Sequence, residues 1–503
     1  MSIGLIVSAL DESQTWDEAI HAAIGYSYWI TGDYHRNPEH PALAKTILAL
    51  PLRLFVHPDL DTKSKAWEQE DLENIGIEFL YRNRVPAETI LNACRSVAIA
   101  ITLLFAVYFA WWMRRRFGAV TALAALTFLA FDPNVIAHGH YITTDVPATA
   151  AIFIACTLWI EFLLTKRFLW LSLTGIALGV ALSTKYSSLF LAGLLPLLFW
   201  LRPGATGLRA LRRWLGACVI LAVLASCVIA MVYLPELLHP DPNTRLYGRL
   251  TGEGFAGSVL LSVARRFPSI PTLHFFVGID RVSEYNAAGR ASYLLGQFSN
   301  RGWWYYFPVA FAVKTPIGML AASLLSLAFL VHLRRQSTRH ALILTCLAIC
   351  GAVYFALSLT STMNIGLRHI LPVYPFIYAF VACILVEAAI AAKWARWALA
   401  GALLLTAVES AAVHPNYIAF FNIAAGGPPF GPFDAEGAWR AMLGASAHGT
   451  VAAASLVCLF RLVRKRLRWA GPVALVLLSI DLAIVDSRQV FTLPKEEMTR
   501  EPV

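Results

Sequence analysis

The apolar residues of this chain fall in long blocks, each close to the roughly 20 residues an α-helix needs to cross a ~30 Å hydrocarbon layer. The blocks predict spans at 88–113, 118–136, 145–165, 168–184, 187–201, 214–233, 306–333, 341–360, 369–392, 394–412, 441–460 and 469–485. A closed barrel would instead show short alternating segments, so the reading is an all-α polytopic bundle. Ile3 to Leu10 is apolar but too short to cross alone. It reads as the far end of a first helix, which brings the expected count to 12–13 transmembrane helices.

Polar positions orient the blocks. Arg114, Arg115 and Arg116 follow one block, and Lys166 with Arg167 another. Arg202, Arg209, Arg212 and Arg213 form a third group, Arg334, Arg335 and Arg339 a fourth, and Lys393 with Arg396 a fifth. Arg461, Arg464, Lys465, Arg466 and Arg468 complete the series, which holds 19 of the 41 Lys and Arg in connections at every second crossing. This is the positive-inside pattern. It places loops 11–87, 234–305 and 413–440 on the non-cytoplasmic face, of a bacterial inner membrane on this reading. The net charge of +10 is thus a matter of topology and not of nucleic acid.

Composition agrees, with 58% hydrophobic residues, 14% charged and a mean hydropathy of +0.61; soluble chains carry roughly a quarter charged residues. All eight cysteines lie in or beside apolar blocks and read as packing residues, without zinc spacing or a pairing framework. Residues 1–485 form one membrane domain without internal repeats, and 486–503 a short tail. In the first outer loop, His40 to Val56 is apolar except for Lys45 and Arg53 and is interrupted by Pro51, the pattern of a helix lying in the interface plane. The second outer loop ends in Gly302-Trp-Trp-Tyr-Tyr-Phe-Pro308, an interfacial aromatic belt or a stacking platform for a substrate.

Six polar clusters gather at the outer ends of helices, where burial near lipid is costly. The first is Asp17-Glu18 with His21, followed by Asn37-Pro-Glu-His40-Pro and Lys45. The second runs from Asp132 through His138 and His140 to Thr143-Thr144-Asp145. Thr143 or Thr144 could cap the next helix, but capping leaves two histidines and an acid unexplained. The others are Ser183-Thr-Lys185-Tyr186, Lys314-Thr-Pro316, Asn364 through Arg368-His369 to Pro372, and His414-Pro-Asn-Tyr417 with Gly426-Gly427. Snorkelling lysines would scatter over both leaflets; these clusters share one face. Carboxylates can deprotonate a hydroxyl, and Arg and Lys can bind and neutralise a phosphate. Together they suit transfer of a group from a lipid phosphate.

These segments resemble membrane glycosyltransferases of the GT-C superfamily, specifically the dolichyl-phosphate-mannose–protein mannosyltransferase family and its bacterial relatives. The matching stretches run from Asp17-Glu18 to Gly426-Gly427-Pro428 in order. The resemblance implies inverting sugar transfer from a polyprenyl-phosphate donor, with Asp17 as general base and Glu18 and Asp145 orienting acceptor or sugar. It implies donor-phosphate contacts from Lys185, Arg368 and His369, with Lys314 beside them, His138 among the substrate-binding residues, and His40 and Lys45 at the cavity mouth. After Gly426-Gly427 the chain departs from the family by returning directly to the membrane, which leaves the acceptor (protein, lipid or glycan) open. The acids admit a divalent cation without any ligand spacing that compels one. A transporter or lipid flippase, or an inactive relative, are the rival expectations; a transporter commonly shows paired repeats and broken helices meeting at the midplane.

Overall fold

The computed structural model describes residues 1–237, 273–330 and 338–427, with residues 258, 262 and 266 between them. The spans expected at 441–460 and 469–485, the tail, Arg334 and Arg335, the basic group around Arg464, and parts of the two later outer loops lie outside the described residues. Among the described residues the fold is helical apart from one small hairpin.

Helices α1 (Ser2–Asp11), α2 (Trp16–Thr31) and α3 (Ala42–Leu48) come first, then the short α4 (Lys65–Glu68) and α5 (Leu72–Tyr81). The expected interfacial stretch is α3 plus a π-turn at Leu52–Val56, where Leu54 and Phe55 remain exposed. Helix α6 (Ala87–Phe117) carries Arg114, Arg115 and Arg116 in its last turn, favourable beside the negative end of its dipole. The span expected at 118–136 is broken into α7 (Ala119–Ala130) and α8 (Pro133–His138). Asp132 stops one helix and starts the other, accepting the Asn134 N–H at 2.8 Å, and Pro133 sits at the first position, where no N–H is needed. Helices α9 (Asp145–Thr165) and α10 (Phe168–Thr184) match their expected spans. Helix α11 (Phe190–Leu198), between two 3-10 turns, precedes α12 (Gly207–Val232) and α13 (Leu234–Leu237).

Beyond α14 (Leu273–Ala288) lies the hairpin of β1 (Ser292–Leu294) and β2 (Gln297–Ser299). The span expected at 306–333 is α15 (Tyr306–Lys314) and α16 (Ile317–Leu330), bent by 112° at Thr315-Pro316. Proline cannot continue the backbone ladder, and side chains take over the freed groups. Glu409 accepts the Ile317 N–H at 2.6 Å, while Asn422 donates to the carbonyls of Ala312 at 2.6 Å and Thr315 at 2.9 Å. Helix α17 (Thr338–Ser358), a 3-10 segment at Leu367–Val373, α18 (Tyr374–Ala391) and α19 (Lys393–Ala412) follow.

Five described helices are long and apolar enough to cross a membrane, or six if α15 and α16 form one broken span. Two of the expected spans lie outside the described residues; among the described ones, breaks at Pro133 and Pro316, the 3-10 turns around α11 and the short α1 and α10 leave apolar segments below the length of a full crossing. The chain is a multi-pass membrane protein. An aromatic core joins α6, α9 and α18, with Phe153 centred 5.2 Å from Phe109 and 5.3 Å from Phe376. Gly175 and Gly179, four residues apart, let α10 approach α12 closely: a Cβ at Gly179 would lie 2.6 Å from the Val228 Cβ.

Candidate functional site

The starts of α2 and α9, the end of α10 and the 3-10 segment before α18 meet at the end of the bundle opposite the basic turns of α6 and α9. In α2, Thr15 and Glu18 form a capping box, with the Thr15 N–H on the Glu18 carboxylate at 2.8 Å. Asp17 lies in the same first turn but reaches 351 residues along the chain, to an ion pair with Arg368. Burial raises the Asp17 carboxyl; the Arg368 guanidinium and, less strongly, His21 outweigh it and hold the group below the usual carboxylate range. A second pair joins Asp145, at the start of α9, to Lys185, just past α10, at 2.5 Å. Arg368 lies within electrostatic reach of both acids. The side chains of Asp17 and Arg368 stay 28% and 25% exposed against 5% and 14% for Asp145 and Lys185, so the first pair faces the opening.

Four imidazoles surround the pairs. His21 donates from Nδ1 to the Ile142 carbonyl at 3.0 Å and meets the His40 ring edge-on at 5.1 Å. Burial lowers His21 to about 4, and desolvation first, then the neighbouring cations, lowers His40 well below its usual value. His138, at the end of α8, is also lowered to about 4, chiefly by burial against the opposing pull of Asp145. These three rings are neutral near pH 7. His369 stacks on Phe307 with centroids 6.3 Å apart and lies, like His138, within electrostatic reach of Asp145. Two carboxylates, two cations and neutral rings therefore converge. Among the described residues no three His, Cys, Asp or Glu side chains gather closely enough to hold a metal ion.

A largely apolar groove of about 1020 Å³ lies between the last turn of α2, α3, α10 and α12, and none of the cluster residues lines it. Trp29, Leu43, Ile176, Val180, Leu224 and Val228 line it. Ile176 is 43% exposed and Trp29 40%, so the groove opens to the side, towards lipid. Val180 lies five residues before Lys185, about 7.5 Å along the helix at 1.5 Å per residue.

Residues 8–239, a little under half of the chain, match the family model of the dolichyl-phosphate-mannose-protein mannosyltransferases. A comparison with curated protein sequences finds no match. Among solved structures the chain is similar to ArnT from Cupriavidus metallidurans bound to undecaprenyl phosphate. The two share 16% identity over 96% of this chain and 74% of that one, with a TM-score of 0.53. The fold is that of the GT-C membrane glycosyltransferases. The same ArnT in its apo state gives 16% identity over 96% and 73% with a TM-score of 0.48. An Archaeoglobus fulgidus oligosaccharyltransferase tethered to an acceptor peptide gives 12% over 82% and 54%, with a TM-score of 0.41.

Within this GT-C fold three expected site residues have other partners. Glu18, expected to orient a substrate, is 0% exposed and accepts from Arg95 at 2.8 and 2.7 Å and from the Ile142 N–H at 3.2 Å. Its oxygens are committed to holding α2 against α6. Lys45, expected at the cavity mouth, is also 0% exposed; its ammonium donates to Tyr28 Oη at 2.9 Å, Asn37 Oδ1 at 2.8 Å and the Asn37 carbonyl at 3.0 Å. Burial lowers it to about 7. The loop that supplies Asn37 is braced by an Arg36–Asp33 pair at 3.1 Å, with Arg36 stacked 3.7 Å over Trp67. Lys314 donates to the Ile418 carbonyl at 3.1 Å and sits 3.9 Å over the Phe421 ring, at the margin of the cluster. Nor does either threonine cap α9: Thr144 makes no side-chain cap bond, and the buried Thr143 hydroxyl has no partner among the described residues.

Arg95 is absent from the sequence reading, yet the sequence carries its signal. It is the lone formal charge inside an apolar block, between Glu88 and Arg114. Glu12 is a second omission. It accepts from the Tyr141 hydroxyl and from His140 Nε2 at 3.1 Å, which accounts for one of the two histidines in that outer turn.

Proposed function

We propose that this protein transfers a sugar from a polyprenyl-phosphate carrier to an acceptor hydroxyl at the non-cytoplasmic face, with inversion, Asp17 serving as general base. The observation that carries the reading is the pair of acid–cation contacts, Asp17–Arg368 and Asp145–Lys185, at the opening of a GT-C fold. In the reaction the acceptor O–H gives its proton to Asp17, and its oxygen bonds to the anomeric carbon. The bond from that carbon to the phosphate oxygen breaks, and the phosphate leaves with one more negative charge. Arg368 and Lys185 are the cations available to that charge, and fixed cations where charge develops lower the barrier.

The ion pair also supplies a way to arm the base. While paired, Asp17 is held acidic by Arg368. A donor phosphate that draws Arg368 away removes the strongest lowering influence and leaves burial, which raises the carboxyl and strengthens it as a base. The lateral groove, largely apolar and open to the side, supports a donor with a long apolar tail. Undecaprenyl phosphate, bound in the ArnT structure, is a carrier of that chemistry.

The test is purified protein in lipid with a panel of radiolabelled polyprenyl-phosphate sugars. One donor is expected to be consumed by the native chain, and Asp17→Asn should slow transfer by about 10²–10⁴-fold while eluting as the same folded species. Undiminished transfer by that variant would remove Asp17 from the mechanism. No consumption of any donor by the native chain would remove the reading itself.

A further inference from the structure

The β1–β2 hairpin lies outside the acid–cation cluster and has an unusual surface. Tyr293 and Phe298 sit opposite each other in the register, with ring centroids 5.0 Å apart. Instead of being covered they are 57% and 83% exposed. The turn that joins the strands is Leu295-Gly296, both at positive φ, +48° and +85°. A two-residue turn of that shape favours Asn-Gly or Asp-Gly; a leucine in the left-handed region is rare and strained. Here Leu295 occupies it and is 74% exposed. Three large apolar side chains thus project from one small, solvent-facing finger.

The base of the finger is rigid. The Asn286 side-chain oxygen accepts from the Thr362 N–H at 3.1 Å, and Asn364 accepts from the Trp303 N–H at 2.6 Å. At Gly302 an added Cβ would lie 2.0 Å from that Asn364 oxygen. The hairpin is therefore fixed to the loop that leads into Arg368. Its position along the chain sets its level: Ser299 is seven residues from Tyr306, where α15 begins, and Trp303 and Trp304 lie between. Tryptophan and tyrosine favour the headgroup level of a bilayer.

Charge identifies the surface it meets. Arg290 and Arg301 flank the strands and are exposed, and neither forms an ion pair among the described residues. No acidic residue occurs from Tyr285 to Leu385. Exposed aromatic and aliphatic tips between unopposed arginines match the acyl boundary and phosphates of anionic phospholipids. We propose that the hairpin is a membrane-docking finger that seats Tyr293, Leu295 and Phe298 in the interface of the bilayer, with Arg290 and Arg301 on lipid phosphates. This holds whether or not the chain transfers sugar. It would give the loop before Arg368 a second anchorage besides the helices.

The experiment places an environment-sensitive fluorophore on Leu295→Cys in the full chain, with Lys63→Cys as a water-exposed control and the parent chain labelled in parallel to subtract native thiols. Each is reconstituted in phosphatidylglycerol–phosphatidylcholine vesicles containing lipids with a nitroxide high on the acyl chain. The expected result is a blue-shifted emission and strong quenching at position 295, absent at 63. Adding Arg290→Gln and Arg301→Gln should lower the docked-to-undocked ratio by about fivefold per charge, as should replacing phosphatidylglycerol with neutral lipid. Emission at 295 that matches the control in every vesicle overturns the proposal. So does an equal blue shift in detergent at high protein concentration that vanishes on dilution, because a second copy would then be the partner.

Discussion

At the scale of residues, adjacent acids in one helical turn have opposite fates. Asp17 looks across an opening to Arg368, whereas Glu18 is sealed against Arg95. Breaking a buried ion pair by removing one partner leaves an uncompensated charge and costs about 3–5 kcal/mol. Arg95→Met is therefore expected to lower thermal stability sharply in detergent, read by the temperature at which the monodisperse peak is lost on size exclusion. Asp17→Asn should leave that temperature nearly unchanged. The histidines give a pH dependence of known sign. His21 and His138 titrate at about 4 in the folded protein, against about 6.5 in an unfolded chain. The unfolded state therefore binds more protons between these values, and stability falls as pH drops from about 6.5 towards 4, by up to ~1.4 kcal/mol per pH unit for each group. A series of melting curves from pH 7.5 to 4.5 should show this loss, and His138→Asn should flatten it.

At the scale of elements, spans were legible wherever apolar character and unbroken backbone coincide, as in α9 and α10. They were not legible where a side chain distant in sequence rescues a break. Nothing near Pro316 announces that Glu409 takes up the Ile317 N–H, so the segment reads as one straight span. The same limit explains Lys45. Its residue type is visible, but its three partners depend on how the loop folds back through Asn37. The glycine pair of α10 is legible in the sequence, and it allows the helix to lie against α12 beside the groove. Gly179→Leu drives a side chain into Val228 and should destabilise the protein by about 1–3 kcal/mol, the usual cost of overpacking, measurable as a lowered melting temperature. An unchanged melting temperature would mean that α10 and α12 can part at little cost.

At the scale of the whole molecule, the cluster is assembled from α2, α9, the end of α10 and the turn before α18, segments that only the complete bundle brings together. A membrane protein threads into the bilayer segment by segment, so Asp17 enters long before its partner at position 368 exists. The pairing ties the first turn of α2 to the segment before α18, and on the proposed mechanism it is the contact a donor phosphate would undo. During synthesis, a half-threaded chain would hold an acid without its cation, and so would be unable to steady a departing phosphate. On the proposed mechanism, reactivity would arrive only once the chain has been threaded past Arg368, which would keep lipid carriers safe from a protein that is still being made.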